Sequence, residues 1–174
     1  MEACFCLEMI KLTNILTSPV HKVVQGFLDG FGMGIGVIEF DTCTKSSELA
    51  AAALGVEVGQ IAKTMVLLAD EQPVLLVTCG DVKINTNRLR KLLGVKKVKL
   101  ADFDTVEKVT GYRVGGVCPF NLPEGTVVLL DKVLERYGTV YAAGGTDFSA
   151  VPVSLDQLQV ITKGRIIDLE GGPA

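Results

Sequence analysis

The amino-acid sequence predicts one α/β domain of the α+β kind. Helix-period and strand-period segments alternate along the whole chain, the pattern of a layered mixed fold. No internal repeat or low-complexity linker divides the 174 residues, a length that suits a single core. Hydrophobic residues make up 48% of the chain, enough to fold without disulfide or metal staples.

The elements follow in order. Ser18 as N-cap and Pro19 as first helical residue start a helix running to about Leu28. Val20, Val23, Val24, Phe27 and Leu28 form its apolar stripe, and His21 falls off that stripe and reads as a surface residue. Glycines at 26, 30, 32, 34 and 36 end regular helix. Gly32-x-Gly34-x-Gly36 neither follows a strand nor opens a helix, so it reads as a turn into a strand at Val37 to Phe40 and not as a nucleotide loop. Ser46 caps a helix with Glu48 in its first turn, small packing residues at Ala50 to Ala53 and a stop at Gly55. Ile61 to Ala69 is a strand, and a turn at Asp70 to Pro73 joins it to Val74 to Cys79 as a hairpin. A helix spans Thr86 to Leu93 and stops at Gly94, and a short strand covers Lys97 to Leu100. Asp102 or Asp104 caps the next helix, which Gly111 ends. Gly111 to Gly125 is irregular, and loops of that length in a compact domain are often functional. Strands are expected at Val127 to Leu130, Val140 to Ala143 and Arg165 to Leu169, with a Ser154/Gln157 capping box opening the last helix.

Composition excludes several classes. The net charge is −3 and the pI about 5.2, so a globally basic nucleic-acid binder is not indicated. One local exception is Lys83 to Lys99, where Lys83, Arg88, Arg90, Lys91, Lys96, Lys97 and Lys99 stand without any acidic residue. That block reads either as a solvated face with a lysine-bearing edge strand or as a phosphate-contacting patch, with Arg88, Arg90 and Lys91 as its candidate contacts. A single histidine, His21, argues against Ser-His-Asp triads and excludes multi-histidine metal sites. Cys4, Cys6, Cys43, Cys79 and Cys118 are odd in number and without framework spacing, which indicates free thiols in a reducing compartment. Cys4-x-Cys6 has no second ligand pair, so no metal and no cofactor is expected. No uncharged apolar run of about 18 residues appears, and the first 16 residues lack a basic n-region, so neither a membrane span nor a secretory signal is expected and the chain is placed in the cytoplasm.

Three features could carry chemistry. Lys63 sits in Gln60-Ile-Ala-Lys-Thr-Met-Val-Leu-Leu68, where alternation puts Ile61, Lys63, Met65 and Leu67 on one face. A lysine among buried-type neighbours is costly unless its charge is used, or else it snorkels to solvent near the strand start. The loop Gly111-Tyr-Arg-Val-Gly-Gly-Val-Cys-Pro-Phe120 can turn sharply and aim backbone N–H groups at a carbonyl or oxyanion. Ala143-Gly-Gly-Thr-Asp147 follows a strand, and its glycines permit close approach of a ligand.

In this order the three features resemble the YbaK-like prolyl-tRNA editing family. Thr44…Ala50-Ala51…Leu54-Gly55…Gln60-Ile-Ala-Lys-Thr64 is similar to that family's helix and lysine strand. Gly115-Gly-Val-Cys-Pro119 matches its G-x-x-x-P loop, and Ala143-Gly-Gly145 through Val153-Ser-Leu-Asp-Gln-Leu158 resembles its closing glycine strand and capped helix. Position 118 is Cys where members often carry Ser or Pro, and residues 1–18 extend beyond the usual start, leaving 19–174 as the editing domain. The resemblance implies a central mixed, partly barrel-like sheet flanked by helices. It also implies hydrolysis of the ester joining a wrong amino acid to the 3′ end of tRNA, often tRNA for proline, with an aminoacyl-tRNA synthetase as a further partner.

The expected mechanism is attack by water, positioned in part by the substrate's own ribose hydroxyl. Lys63 would hold the terminal nucleotide, and the backbone of Gly115 and Gly116 would polarise the ester carbonyl. Thr44, Val117, Cys118, Pro119, Gly144 and Gly145 would bound the substrate cleft. Two rivals stand beside this: a thiol nucleophile at Cys118, which needs a basic or positive neighbour, and a non-catalytic module that captures aminoacyl-tRNA or a regulatory partner.

Overall fold

The computed structural model describes residues 20–170. The Ser18 cap, Pro19, the Cys4/Cys6 pair and the 1–18 extension lie outside the described residues.

Among the described residues are five α-helices, each where the sequence places one. Helix α1 (Val20–Asp29) buries Val24 and Leu28 fully, while Val20 and Phe27 pack at the edge of the core. Val23 departs from the expected stripe and is 52% exposed. His21 departs too: its side chain is 13% exposed, with Nε2 3.1 Å from Glu39 Oε1, so it joins α1 to the first strand and is not a free surface residue. Helix α2 (Ser47–Leu54) is capped by Ser46, whose hydroxyl accepts from Leu49 N, and stops at Gly55 in the left-handed region. Helix α3 (Thr86–Leu93) is capped by Asn85 and closed by Gly94. In α4 (Phe103–Thr110) the cap is Asp102 and not Asp104, accepting from Thr105 N at 2.8 Å. Helix α5 (Leu155–Thr162) opens with the reciprocal Ser154/Gln157 box.

Eight strands make one mixed sheet: β1 (Ile38–Glu39), β2 (Ile61–Ala69), β3 (Gln72–Cys79), β4 (Val98–Leu100), β5 (Val127–Asp131), β6 (Val140–Ala143), β7 (Ser149–Val153) and β8 (Arg165–Ile167). Their order is β1-β7-β6-β2-β3-β5-β8, with β4 attached to β2. Pairs β2/β6, β3/β5 and β5/β8 are parallel, and the others antiparallel. The β2–β3 hairpin turns on Asp70 and Glu71, both at positive φ. Strand β7 is not among the strands the sequence predicts, and it holds Pro152, a residue disfavoured within a sheet. The register explains its tolerance: β1 reaches only Ser149 and Ala150, so β7 is an edge strand at Pro152.

The sheet separates two cores. The larger lies on the face of Val66, Leu75, Val77 and Leu130, under α1, α4 and α5. The smaller lies on the face of Leu67, Leu76, Leu129 and Ile167, under Leu89 of α3. On that second face Ala50 and Ala51 of α2 cover Ile61. Alternation along β2 therefore puts Ile61 beneath α2 and Leu67 beneath α3, with Lys63 and Met65 between the two helices.

Candidate active site

Strand β2 has one continuous edge and one broken edge. Strand β3 pairs with it from Ala62 to Ala69. On the other edge β6 meets only Ile61 and Ala62, and β4 meets only Leu67 to Ala69. Ala101 N donates to Val66 O at 3.0 Å on this broken edge. Backbone groups alternate along a strand, so the N–H and C=O of Thr64 turn to the same edge, where no strand is registered opposite. A cleft of about 390 Å³ occupies this break.

Lys63 lines the cleft and is exposed. The helices above β2 part over it, so the charge carries little desolvation penalty. Facing it is the first turn of α2. The backbone N–H of Glu48, the Ser46 side chain and, less strongly, Lys63 hold the Glu48 carboxyl below the usual carboxylate range. Lys45, Ser46 and Ser47 complete this polar side. Across the cleft stand apolar groups: Val66, Ala101, Val106, Ala142 and Val117. Among them Thr64 Oγ1 is buried and has no hydrogen-bond partner. A buried hydroxyl without a partner costs roughly 1–3 kcal/mol, so its place in a cleft demands an explanation.

Three loops close the cleft and are tied to one another. Thr44 donates both its N–H (2.6 Å) and its hydroxyl (3.0 Å) to the carbonyl of Asp147. A Cβ on Gly116 would stand 2.8 Å from the Gly145 carbonyl oxygen and 2.8 Å from Thr146 Cα, so the two glycine loops touch backbone to backbone. Gly115 has φ +104, a conformation open only to glycine, and its place beside Lys45 brings it to the cleft wall.

Of the residues singled out in the sequence, Thr44, Lys63, Gly115 and Val117 line the cleft. Gly116, Cys118, Pro119, Gly144 and Gly145 stand behind it. Gly116 gives its N–H to the Arg113 carbonyl at 3.0 Å, which removes it as a donor to a substrate. Among the cleft-lining residues of this loop, the N–H groups of Gly115 and Val117, like that of Val114, carry no hydrogen bond to another described residue and are available as donors. Gly145 packs on Val20, Val24 and Tyr112, and Gly144 on Ser149 and Val37. Cys118 is fully buried beside Tyr112, whose hydroxyl donates to the Phe120 carbonyl at 2.7 Å. Burial pushes the Cys118 thiol up to about 11, so at neutral pH it is a protonated core thiol. Arg88, Arg90 and Lys91 lie on α3, outside the cleft lining: Arg88 Nε donates to the Asp168 carbonyl at 3.0 Å, Arg90 is half-buried and Lys91 is exposed. The orphan Thr64 hydroxyl and the exposed ring of Phe103 on the cleft rim are features that the sequence does not single out.

This architecture is that of an editing domain, and residues 42–161 match the family model of the aminoacyl-tRNA editing domain. The chain belongs to that family. Membership puts it in the class of aminoacyl-tRNA deacylases, hydrolases acting on ester bonds. Among relatives, it is 34% identical over 131 residues to the uncharacterized protein YwhH of Bacillus subtilis (strain 168), covering 75% of this chain and 83% of that one. It is 41% identical over 91 residues to the proline–tRNA ligase of Geobacter sp. (strain M21), covering 52% of this chain and 16% of the ligase. A solved structure described as a "putative trans-editing enzyme for prolyl tRNA synthetase" superposes with a TM-score of 0.81 at 31% identity, covering 89% of this chain and 99% of that one. Among the described residues no helix is long and apolar enough to cross a membrane.

Proposed function

We propose that this protein is a trans-acting deacylase that releases a small, wrongly attached amino acid such as alanine or cysteine from the 3′ end of tRNA for proline. The observation that carries the reading is Lys63, an exposed cation set in the break of the β2 edge inside a mixed polar and apolar cleft. A volume of about 390 Å³ is near the lower end of the roughly 300–1,000 Å³ usual for ligand sites, which favours a small aminoacyl group. The scattered free thiols Cys43, Cys79 and Cys118 favour a reducing compartment, the cytoplasm.

The reaction is ester hydrolysis. Water attacks the carbonyl carbon, the bond to the ribose oxygen breaks, and the released ribose oxygen takes a proton. Lys63 holds the anionic part of the terminal nucleotide and so fixes the ester in the cleft. The free N–H groups of Gly115 and Val117 stabilise the developing oxyanion. Thr64 Oγ1 hydrogen-bonds a polar atom of the aminoacyl group, which would satisfy the orphan hydroxyl. Cys118 takes no covalent part, since its thiol is buried and protonated.

The test is single-turnover hydrolysis across a panel of mischarged tRNAs. Lys63→Ala is expected to lower the rate at least about 100-fold. Because Lys63 is exposed, its melting temperature should stay within about 2 °C of wild type. Lys63→Arg keeps the charge in a planar, bulkier group and should recover only part of the rate. A folded Lys63→Ala protein with wild-type rates would sink the site and its mechanism. A wild-type protein that binds these tRNAs and releases nothing would instead be a binding module.

A further inference from the structure

Phe103 and Leu100 are the two most exposed large hydrophobic side chains among the described residues, at 75% and 63%, and Val114 is 54% exposed. Single exposed apolar residues are ordinary, but these three stand together on the rim of one cleft. Helix periodicity shows how Phe103 comes to be there. Phe103, Val106 and Thr110 fall on one stripe of α4; Val106 and Thr110 are buried, and the stripe runs one turn past the core and overhangs the cleft.

The rim is divided by charge. Lys45 and Lys63 stand on the α2 side beside the Glu48 carboxylate, which leaves that side with one net positive charge. On the α4 side Phe103 is flanked by Asp102 and Asp104, and the Thr105 N–H holds the Asp102 carboxyl below its usual range, so it is ionised at neutral pH. Phosphate is repelled from that side and drawn to the other. The end of a tRNA is divided in the same way: its phosphates are anionic, while the base on the ester-bearing ribose is neutral, flat and aromatic. With the phosphate side taken by the lysines, the base is left to the apolar side.

Building on the deacylase reading, we propose that Phe103, edged by Leu100 and Val114, is the platform on which the terminal base of the acceptor end stacks. Stacking of a base on an exposed aromatic ring is tolerant of base identity and contributes substantially to single-strand binding. Phe103 then positions the ribose and its ester over Lys63 and is a positioning residue for the reaction.

The experiment compares wild type and Phe103→Ala on two mischarged RNAs, one ending in adenosine and one whose terminal ribose carries the same amino acid but no base. On the first, Phe103→Ala should lose about tenfold or more in kcat/KM, mainly through KM, while Phe103→Trp stays near wild type. On the baseless RNA, wild type should fall by a similar factor and Phe103→Ala should lose nothing further. Melting temperatures should agree, since the ring is largely exposed. Unchanged kcat/KM in Phe103→Ala, or an equal loss on both RNAs, overturns the platform, as does a change confined to self-association or to protein binding. A parallel arm measures binding of the same RNAs uncharged, with and without the terminal base. Should wild type release no amino acid, the deacylase reading falls and this arm still decides the platform by the same comparison.

Discussion

Thr64 carries a hydroxyl that no other group among the described residues engages, and that makes its two roles separable. Its Oγ1 is buried on the cleft wall without a partner. Valine has nearly the same shape and no donor to leave unmet. Thr64→Val is therefore expected to raise stability by about 1 kcal/mol, seen as a melting temperature up by about 2–4 °C. The same change should lower single-turnover deacylation at least about tenfold, because the hydroxyl meets the substrate. Thr64→Ser should keep most activity. Stability and activity moving in opposite directions is the signature of a ligand-facing group; a stabilised variant with full activity would end that assignment. Lys63 shows how far single residues were legible. Alternation placed it on the right face of β2, but a strand pattern does not say what covers that face. The helices part at Lys63, and that follows from packing of Ala50 and Ala51 on Ile61 and of Leu89 near Leu67, contacts distant in sequence.

Elements governed by local chemistry were the most legible. Ser46, Asp102 and the Ser154/Gln157 box mark helix starts, and Gly55, Gly94 and Gly111 mark stops, because a cap uses residues within one turn. Strand β7 was not legible, since the edge that tolerates Pro152 is open only because β1, more than a hundred residues away, ends at Ala150. The glycine loops lie between these cases. Their order along the chain led to the cleft, but Gly116, Gly144 and Gly145 serve the walls: Gly116 lets two loops meet backbone to backbone, and Gly144 and Gly145 make room for side chains packed behind the cleft. Gly116→Ala puts a methyl 2.8 Å from the Gly145 carbonyl oxygen, where only a backbone shift can make room. The expected cost is about 1–3 kcal/mol, with deacylation falling as the loop bearing Gly115 and Val117 is displaced. Gly138→Ala, which meets nothing within 4 Å, should leave rates unchanged. Equal melting curves and rates for Gly116→Ala would show that this loop contact does not shape the cleft.

At the scale of the whole molecule, the chain carries a net charge of −3 and yet must approach a polyanion. Two acidic residues of the β2–β3 turn hold one end of its basic stretch. Asp70 accepts the backbone N–H groups of Lys96 and Lys97, and Glu71 pairs with Lys99 at 2.9 Å. Helix α3 carries the middle of the stretch, with Lys91 exposed and Arg88 and Arg90 half-buried, between Lys83 on one side and Lys96 and Lys97 on the other. Helix α3 covers the same face of β2 on which Lys63 lies. Leu67 is four residues from Lys63, roughly 13 Å along the strand, so one RNA end can reach both. We propose that α3 follows the backbone of the acceptor stem while the cleft takes the terminus. Replacing Arg88, Arg90 and Lys91 together with glutamine should then weaken tRNA binding at low salt and reduce the slope of log K against log salt by about 0.7–0.9 for each phosphate no longer neutralised. Lys91→Gln alone, on an exposed side chain, should account for one such step without disturbing the fold. The rate at saturating tRNA should not change in either variant, because α3 contributes nothing to the cleft lining. The measurement is a binding titration at several salt concentrations, with melting curves to check that the triple variant folds. Affinity and slope equal to wild type in a folded triple variant would return α3 to a solvated face and leave attraction of the acceptor end to Lys45 and Lys63.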